Sequence, residues 1–256
     1  MKRKLLSILS LLSLTALGGC GNNDSSTNDM SSVNSQTNTV VSSSQDANTV
    51  EYSVQVLLPN GEKAPAGLTV QWCGGPKGLC RTSNTNSEGL ATINLEAYDY
   101  DVHILNCPEQ YTCELGYVSK SDERSITVKL LDLKSPLSGE GTKTNPYLIN
   151  EGAYNVTINT AGEVVYFGFT ASEAGKYSIE SLYTSTVLAD PNVGYYGNDL
   201  SNIPESPVEG KIDDNSGYDK NFLLEFDAEN EITYVFGVSA TGFSRAKTFS
   251  FNIKKI

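Results

Sequence analysis

The sequence of 256 residues has few histidines, tryptophans and basic side chains. With one histidine, a metal site built from several histidines is impossible, and a Ser-His-Asp or Cys-His catalytic set could form only around His103. Lys and Arg number 18 against 30 Asp and Glu, a net charge of −12. A chain of this charge repels phosphate backbones, so we expect no nucleic-acid partner.

A sustained helical period is also missing from the sequence. Hydrophobic residues make up 39% of the chain, which indicates a folded protein, and they alternate with polar residues in short runs. The clearest runs in the first half of the chain cover residues 52–57, 68–72, 90–95, 100–104 and 126–130. This pattern predicts half-buried β-strands and an all-β fold.

The N-terminal segment has the features of an export signal. Residues 2–4 are basic, residues 5–17 are apolar with interspersed Ser and Thr, and the segment ends in Leu-Gly-Gly-Cys at 17–20. This ending resembles the bacterial lipoprotein signal, which implies cleavage after residue 19 and lipid attachment to Cys20. An ordinary signal peptide with a chance cysteine is the alternative. In Gram-negative sorting, Gly21 in place of Asp favours the outer membrane, on its periplasmic or surface face, while a Gram-positive host would imply the cell surface.

Residues 20–50 are predicted to be a disordered tether that carries the lipid-attached cysteine. Between residues 21 and 50 there are 8 Ser, 6 Asn and 4 Thr, with no aromatic and no basic residue. Such a segment cannot bury enough apolar surface to offset the entropy of ordering it.

Residues 51–133 are expected to form the first of two β-sandwich domains in tandem. The run Pro-Asn-Gly at 59–61, the Asn-Ser-Glu-Gly turn at 86–89 and the Tyr-Asp-Val-His-Ile run at 100–104 resemble prealbumin-like, Cna-B-like and carboxypeptidase-regulatory-like modules. The resemblance implies an Ig-like or prealbumin-like sandwich with a spacer or binding role.

Residues 136–256 resemble the bacterial pre-peptidase C-terminal (PPC) domain. The resemblance rests on Gly-Thr-Lys-Thr-Asn-Pro-Tyr at 141–147, the run from Gly162 to Ile179, Asp-Asp-Asn-Ser-Gly at 213–217 and Thr-Tyr-Val-Phe-Gly-Val at 233–238. It implies a jelly-roll-like sandwich, and the alternation of aromatic residues predicts one aromatic face turned inward.

Cysteine usage predicts two disulfides in the first domain. Apart from Cys20, the chain holds Cys73, Cys80, Cys107 and Cys113, an even number that suits an exported protein. Three pairings are possible, and we favour the local ones, Cys73–Cys80 and Cys107–Cys113. A zinc site made of all four cysteines is the alternative, although their spacings are wider than those usual for zinc.

Three further residue sets have a structural and a functional interpretation. His103 alternates with Val102 and Ile104, so it is predicted to face solvent rather than to act as a base. Trp72 is predicted to pack in the core beside a disulfide. Asp99 and Asp101 are predicted to be turn and surface carboxylates.

The segment around residue 215 is an acidic, glycine-containing loop. Asp213, Asp214, Asn215 and Asp219 offer oxygen ligands that could hold calcium, although the order of residues departs from an EF-hand. We favour a solvated turn over a calcium site, and we expect no other cofactor.

Tyrosines of the second domain are candidates for a ligand platform. Tyr195, Tyr196 and Tyr218 could stack on sugars or capture peptides, but we favour the interpretation that their rings mostly face the core. The sequence thus predicts a non-enzymatic, lipid-anchored envelope or surface protein whose second domain binds a polysaccharide or a protein. The alternative is a periplasmic structural partner or inhibitor within an envelope complex.

Overall fold

The computed structural model describes residues 49–114, 116–120, 123–182, 190–217 and 221–256. Residues 1–48, with the predicted signal peptide, Cys20 and nearly all of the predicted tether, lie outside them. Thr49 and Val50, assigned to the tether from sequence, already belong to the first strand. None of the described segments contains a helix long and apolar enough to cross a membrane.

The described residues form seventeen β-strands, which confirms the predicted all-β class. The five runs predicted in the first half of the chain fall within or overlap β1, β2, β4, β5 and β8 of the following list. The strands are β1 (Thr49–Leu57), β2 (Thr69–Gly74), β3 (Leu79–Asn84), β4 (Leu90–Glu96), β5 (Tyr100–Ile104), β6 (Tyr111–Cys113), β7 (Gly116–Val118), β8 (Ser125–Lys134), β9 (Tyr147–Ile149), β10 (Gly152–Ile158), β11 (Val165–Thr170), β12 (Gly175–Leu182), β13 (Asp190–Gly197), β14 (Ile212–Asp213), β15 (Leu223–Ala228), β16 (Thr233–Thr241) and β17 (Lys247–Lys255).

The first module is a sandwich of two sheets around a buried cluster. In one sheet β1 lies between β4, to which it is antiparallel, and β8, to which it is parallel, while β6 pairs with β8. The other sheet has the order β3-β2-β5-β7. Tyr52, Val54 and Val56 of β1 pack in one core cluster with Trp72 of β2, which confirms the predicted core position of that tryptophan.

The second module repeats this arrangement with a more aromatic core. The strands β15-β12-β17-β10 form one layer, and the sheet β14-β13-β16-β11-β9 forms the other. Phe167, Phe169, Tyr177, Phe236 and Phe251 are all buried in its core cluster, which confirms the predicted inward aromatic face.

One strand links the two modules into a continuous sheet. β8 pairs with β1 along residues 125–129 and with β10 at residues 133–134, so the eight-stranded sheet runs through both sandwiches. Backbone contacts group the described residues as one compact unit. The core clusters remain separate, one within residues 52–130 and the other within 149–253. The domain limits 51–133 and 136–256 stay predictions.

A charged contact also crosses between the modules. The Lys254 ammonium on β17 lies 3.0 Å from a carboxylate oxygen of Glu180 and 3.5 Å from one of Glu114, which follows β6. Burial alone would lower the pKa of Lys254, but the two carboxylates outweigh it and raise that pKa, so the lysine stays charged.

The prediction that His103 faces solvent is wrong. Its side chain is only 6% exposed, and Val102 and Ile104 on either side of it are buried as well. Consecutive strand residues point to opposite faces, so β5 is covered on both of them. Alternation with apolar neighbours therefore did not place His103 on a solvent-exposed face of β5.

The second core provides a test of the packing. Phe251 is fully buried, its ring centroid 4.8 Å from that of Phe167 and 5.9 Å from that of Tyr154. We expect Phe251→Ala to lower the free energy of unfolding by about 3–5 kcal/mol because it leaves a cavity in a tightly packed core. Urea titration measures the loss, and Phe251→Leu, which keeps most of the volume, is the matched control with a smaller loss. A loss of less than about 1 kcal/mol for the alanine variant would contradict this packing.

Candidate functional site

Two tyrosine side chains stand exposed at one end of the first module. Tyr98, in the turn between β4 and β5, is 41% exposed, and Tyr117, in the middle of β7, is 49% exposed. We call Tyr98, Asp99, Tyr117 and Lys120 the tyrosine patch. Most other aromatic side chains of the described residues lie in or against the two cores, so these two rings are set apart by their exposure.

The backbone of the first tyrosine is held from inside the module. The buried hydroxyl of Tyr52 donates a hydrogen bond to the Tyr98 carbonyl at 2.6 Å and accepts one from the Tyr98 N–H at 3.0 Å. This double contact fixes the turn and leaves the Tyr98 ring on its outer side.

The second tyrosine is placed by the alternation of an edge strand. β7 pairs with β5 at the end of its sheet, with Tyr117 opposite Asp101. Val118 points into the core, and Tyr117 therefore points to solvent.

A carboxylate joins these parts. Asp99 accepts a hydrogen bond from the Lys120 backbone N–H at 2.9 Å and another from the Tyr117 hydroxyl. The Lys120 ammonium lies 5.7 Å from the centre of the Tyr98 ring, within the range of a cation–π contact. The patch therefore combines two aromatic rings, a negative charge and a positive charge in a connected set.

The protonation states of the patch are set by these contacts. The hydrogen bond from the Lys120 N–H lowers the pKa of Asp99, so this carboxyl is ionised at neutral pH. Local desolvation, followed by the negative charge of Asp99, raises the pKa of Tyr117, whose hydroxyl therefore remains a donor. Rings that present an apolar face, a hydroxyl and a nearby carboxylate suit a ligand with both C–H faces and hydroxyl groups.

The described tyrosines considered as a ligand platform in the second module pack into the fold, as the favoured interpretation expected. Tyr196 is only 7% exposed, packs with Tyr166 at 5.2 Å between ring centroids, and has a pKa raised to about 12, first by burial. Tyr195 is half-buried and packs against Tyr234 and Phe236. Both residues belong to β13, an interior strand, and so are largely removed from ligands. Tyr218 lies outside the described residues.

The acidic loop is organised by its own hydrogen bonds. The carboxylate of Asp213 accepts hydrogen bonds from the Ser216 N–H at 3.1 Å, from the Leu223 N–H at 2.7 Å and from the Ser216 hydroxyl. Asp214 and Asn215 are exposed, and Asp219 lies outside the described residues. Within the part of the chain that the structure describes, no group of three or more His, Cys, Asp or Glu could hold a metal ion. Calcium binding stays an untested expectation.

The structure forms one of the two expected disulfides. Cys73 and Cys80 are bonded across the β2–β3 hairpin, where they are directly paired, and this confirms the first pairing. Cys107 and Cys113 are free thiols in the structure. The predicted Cys107–Cys113 disulfide is therefore not formed. Cys113 is buried in the first core, and the partly buried Cys107 packs against that core. Both thiols behave as small apolar side chains. Burial raises the pKa of Cys107 to about 12 and that of Cys113 to about 11, so both are protonated at neutral pH.

Comparison with known proteins gives only distant likenesses. No protein-family model matches the sequence, and no curated protein matches it. Three of the solved structures similar to this chain are from bacteria. The major pilin subunit BcpA of Bacillus cereus is 10% identical, with 80% of this chain and 59% of that chain covered, at a TM-score of 0.26. A DUF3823 family protein from Parabacteroides merdae is 10% identical, with 82% of this chain and 100% of that chain covered, at a TM-score of 0.29. A streptococcal ancillary pilin is 14% identical, with 80% of this chain and 59% of that chain covered, at a TM-score of 0.28.

These scores are too low to support an argument about function. This chain also spans only 59% of the length of the Bacillus cereus pilin. The lipoprotein signal and the resemblances to Cna-B-like and PPC domains therefore stay predictions from sequence.

The carboxylate at the centre of the patch provides a pH test. Because its folded pKa is lowered, Asp99 contributes to folding above its ordinary value of 3.8, and this contribution is lost as the pH falls through the lower, folded pKa. We expect NMR titration of the Asp99 carboxyl to give a pKa below 3.8, and the Lys120 amide resonance to shift with the same midpoint. A carboxyl that titrates above 3.8, or a Lys120 amide that does not respond, would contradict the hydrogen bond.

Proposed function

We propose that this chain is a non-enzymatic, lipid-anchored envelope protein that binds a neutral polysaccharide through the tyrosine patch. The observation that carries the proposal is the pair of exposed rings, Tyr98 and Tyr117, held around the Asp99 carboxylate. An exposed aromatic pair on a fixed turn and a short edge strand is a preorganised surface, which lowers the entropy lost on binding.

The chemistry of the patch favours sugar over other polymers. The C–H face of a sugar ring can lie on a tyrosine ring, and its hydroxyl groups can donate to Asp99. The net charge of −12 disfavours anionic polymers, so the proposed ligand is an uncharged polysaccharide.

The buried groups support binding rather than catalysis. His103, the one histidine of the chain, is covered on β5, away from ligands at the surface. The Cys107 and Cys113 thiols have raised pKa values and are therefore poor nucleophiles. A protein that holds a polymer without cleaving it needs neither group.

The sequence of the N-terminal segment supplies the proposed location. Lipid attached to Cys20 would hold the chain at a membrane, and the polar segment 20–48 would let the folded modules stand away from it. Gly21 favours the outer membrane if the host is Gram-negative.

Removing the two rings tests the proposed ligand. We expect Tyr98→Ala combined with Tyr117→Ala to weaken binding to insoluble cellulose, chitin or starch by about tenfold or more, since each lost stacking contact costs about 0.5–1.5 kcal/mol. Co-sedimentation measures the affinity. Tyr117→Phe separates the contribution of ring stacking from that of the hydroxyl, because it keeps the ring and removes the hydrogen bond to Asp99.

Ile212→Ala is the matched control, since Ile212 is also a large exposed apolar residue but lies in the second module. Equal binding by the double variant and this control would contradict the role of the patch. Absence of binding to all three polymers, with capture of a stoichiometric envelope protein instead, would favour a structural partner.

Replacing the lipidation cysteine tests the proposed anchor. We expect Cys20→Ala to be released in soluble form, because two or three acyl chains hold a protein firmly whereas a tether rich in Ser and Asn has no membrane affinity. Fractionation of cells with immunodetection measures the partition, and Cys107→Ala is the control that keeps the anchor. Continued membrane association of the Cys20 variant would show that something other than lipid holds the chain.

A further inference from the structure

A polar cleft of about 590 Å³ lies on the second module, far along the chain from the tyrosine patch. One wall is the connection between β8 and β9, and the other is the turn between β10 and β11. Side chains of β10 line the cleft between these two walls. Its lining includes Glu140, Lys143, Tyr147, Asn155 and Glu163. Its volume falls in the range of small-ligand sites.

Backbone hydrogen bonds hold both walls in place. In the first wall the Glu140 N–H donates to the Asn145 carbonyl at 2.9 Å, and the Tyr166 N–H donates to the Gly141 carbonyl at 2.9 Å. In the second wall the Gly162 N–H donates to the Ala240 carbonyl of β16 at 3.0 Å. The cleft is therefore formed before any ligand arrives.

Glu163 is oriented by three hydrogen bonds but keeps capacity for a ligand. Its Oε2 atom accepts from the N–H groups of Asn159 and Thr160 at 2.7 and 3.1 Å, and its Oε1 atom accepts from the Asn159 side-chain amide at 3.2 Å. A carboxylate offers about four acceptor positions, so Oε1 can take one more donor. Partial burial would raise the pKa of Glu163, but these bonds outweigh it and lower that pKa, so the group is ionised.

Asn155 supplies the complementary donor. Its side-chain oxygen accepts a hydrogen bond from the Ser250 hydroxyl at 2.7 Å, which fixes the orientation of the amide. The NH₂ group of this exposed side chain then remains for a ligand oxygen.

One aromatic ring gives the cleft an apolar surface. Tyr147 is half-buried, with its ring centroid 5.7 Å from that of Phe167. A side chain at buried Gly141 would lie 2.5 Å from the Tyr147 ring, so the glycine lets the wall approach the ring closely. At φ +75° this position also favours glycine by its backbone conformation.

The charges of the cleft disfavour an anionic ligand. Glu140 and Glu163 are both acidic, and the one lysine of the lining, Lys143, is paired with Glu205 at 2.6 Å. A ligand rich in hydroxyl groups and without negative charge fits such a set of carboxylates, amides and one ring.

We propose that this polar cleft is a second saccharide site, which takes a short stretch of a neutral sugar chain. A sugar hydroxyl would donate to Glu163 Oε1, another oxygen would accept from the Asn155 amide, and the C–H face would lie against Tyr147. The site goes beyond the proposed function because it uses no residue of the tyrosine patch and lies on the other module. Two sites on one compact unit would bind the same polymer more tightly than either alone.

Short sugars test the cleft separately from the patch. Full-length protein is titrated with maltotetraose, cellotetraose and chitotetraose by calorimetry. We expect at least one to bind, and we expect Asn155→Ala to weaken this binding about tenfold by removing one oriented hydrogen bond. Glu163→Gln, which keeps the shape but replaces a charged acceptor by a neutral one, is expected to weaken it as well.

Asn202→Ala is the matched control, because Asn202 is an exposed asparagine outside the cleft. Thermal unfolding of each variant separates lost binding from lost folding. Failure of all three sugars to bind, or equal binding by the Asn155, Glu163 and Asn202 variants, would overturn the proposal. If the patch variant Tyr98→Ala/Tyr117→Ala loses polymer binding while no short sugar binds, the cleft fails and the proposed function stands. If that variant binds polymer and short sugars normally, the cleft stands and the patch fails.

Discussion

The organisation of this protein depends on the backbone pairing of one long strand, β8. Its first half completes the sheet of the first module beside β1, its middle pairs with β6, and its last two residues pair with β10 of the second module. Each sandwich buries its own core, but they share this strand and cannot separate without breaking its hydrogen bonds. The Glu114–Lys254–Glu180 contact adds a charged link across the same junction.

Much of the fold could be predicted because alternation is a direct consequence of strand geometry. Val54 and Val56, or Phe249 and Phe251, stand two residues apart and must point to the same side. Strands that lack an alternation of apolar and polar residues were missed. β3 is exposed along almost its whole length, and β13 contains Pro191 and two glycines, so neither carries a regular apolar pattern. The pairing of β8 with β10 connects two modules, and no local pattern reports on it.

The sites were harder to predict because exposure is a property of the assembled fold. Tyr195 and Tyr196, flanked by glycines, have the composition of a loop, but in the structure they lie on an interior strand. Tyr98 and Tyr100 are two residues apart in one run, yet Tyr100 is buried and Tyr98 is not, because Tyr98 stands in a turn held by the hydroxyl of Tyr52. Cysteine counting has the same limit: it gave the hairpin pair correctly, but it could not tell that Cys107 and Cys113 pack as separate thiols.

The placement of β1 has a mechanical consequence. It begins at Thr49, directly after the segment that would connect the modules to a membrane, and it lies between β8 and β4. A pull applied at Thr49 along the strand loads the hydrogen bonds on both of its sides at once, in shear, because those bonds lie across the pulling direction. Shear requires many bonds to break together, whereas peeling a strand from a free edge breaks them one at a time. A protein that holds a polymer at one end and a membrane at the other would thereby carry tension through the interior of its sheet.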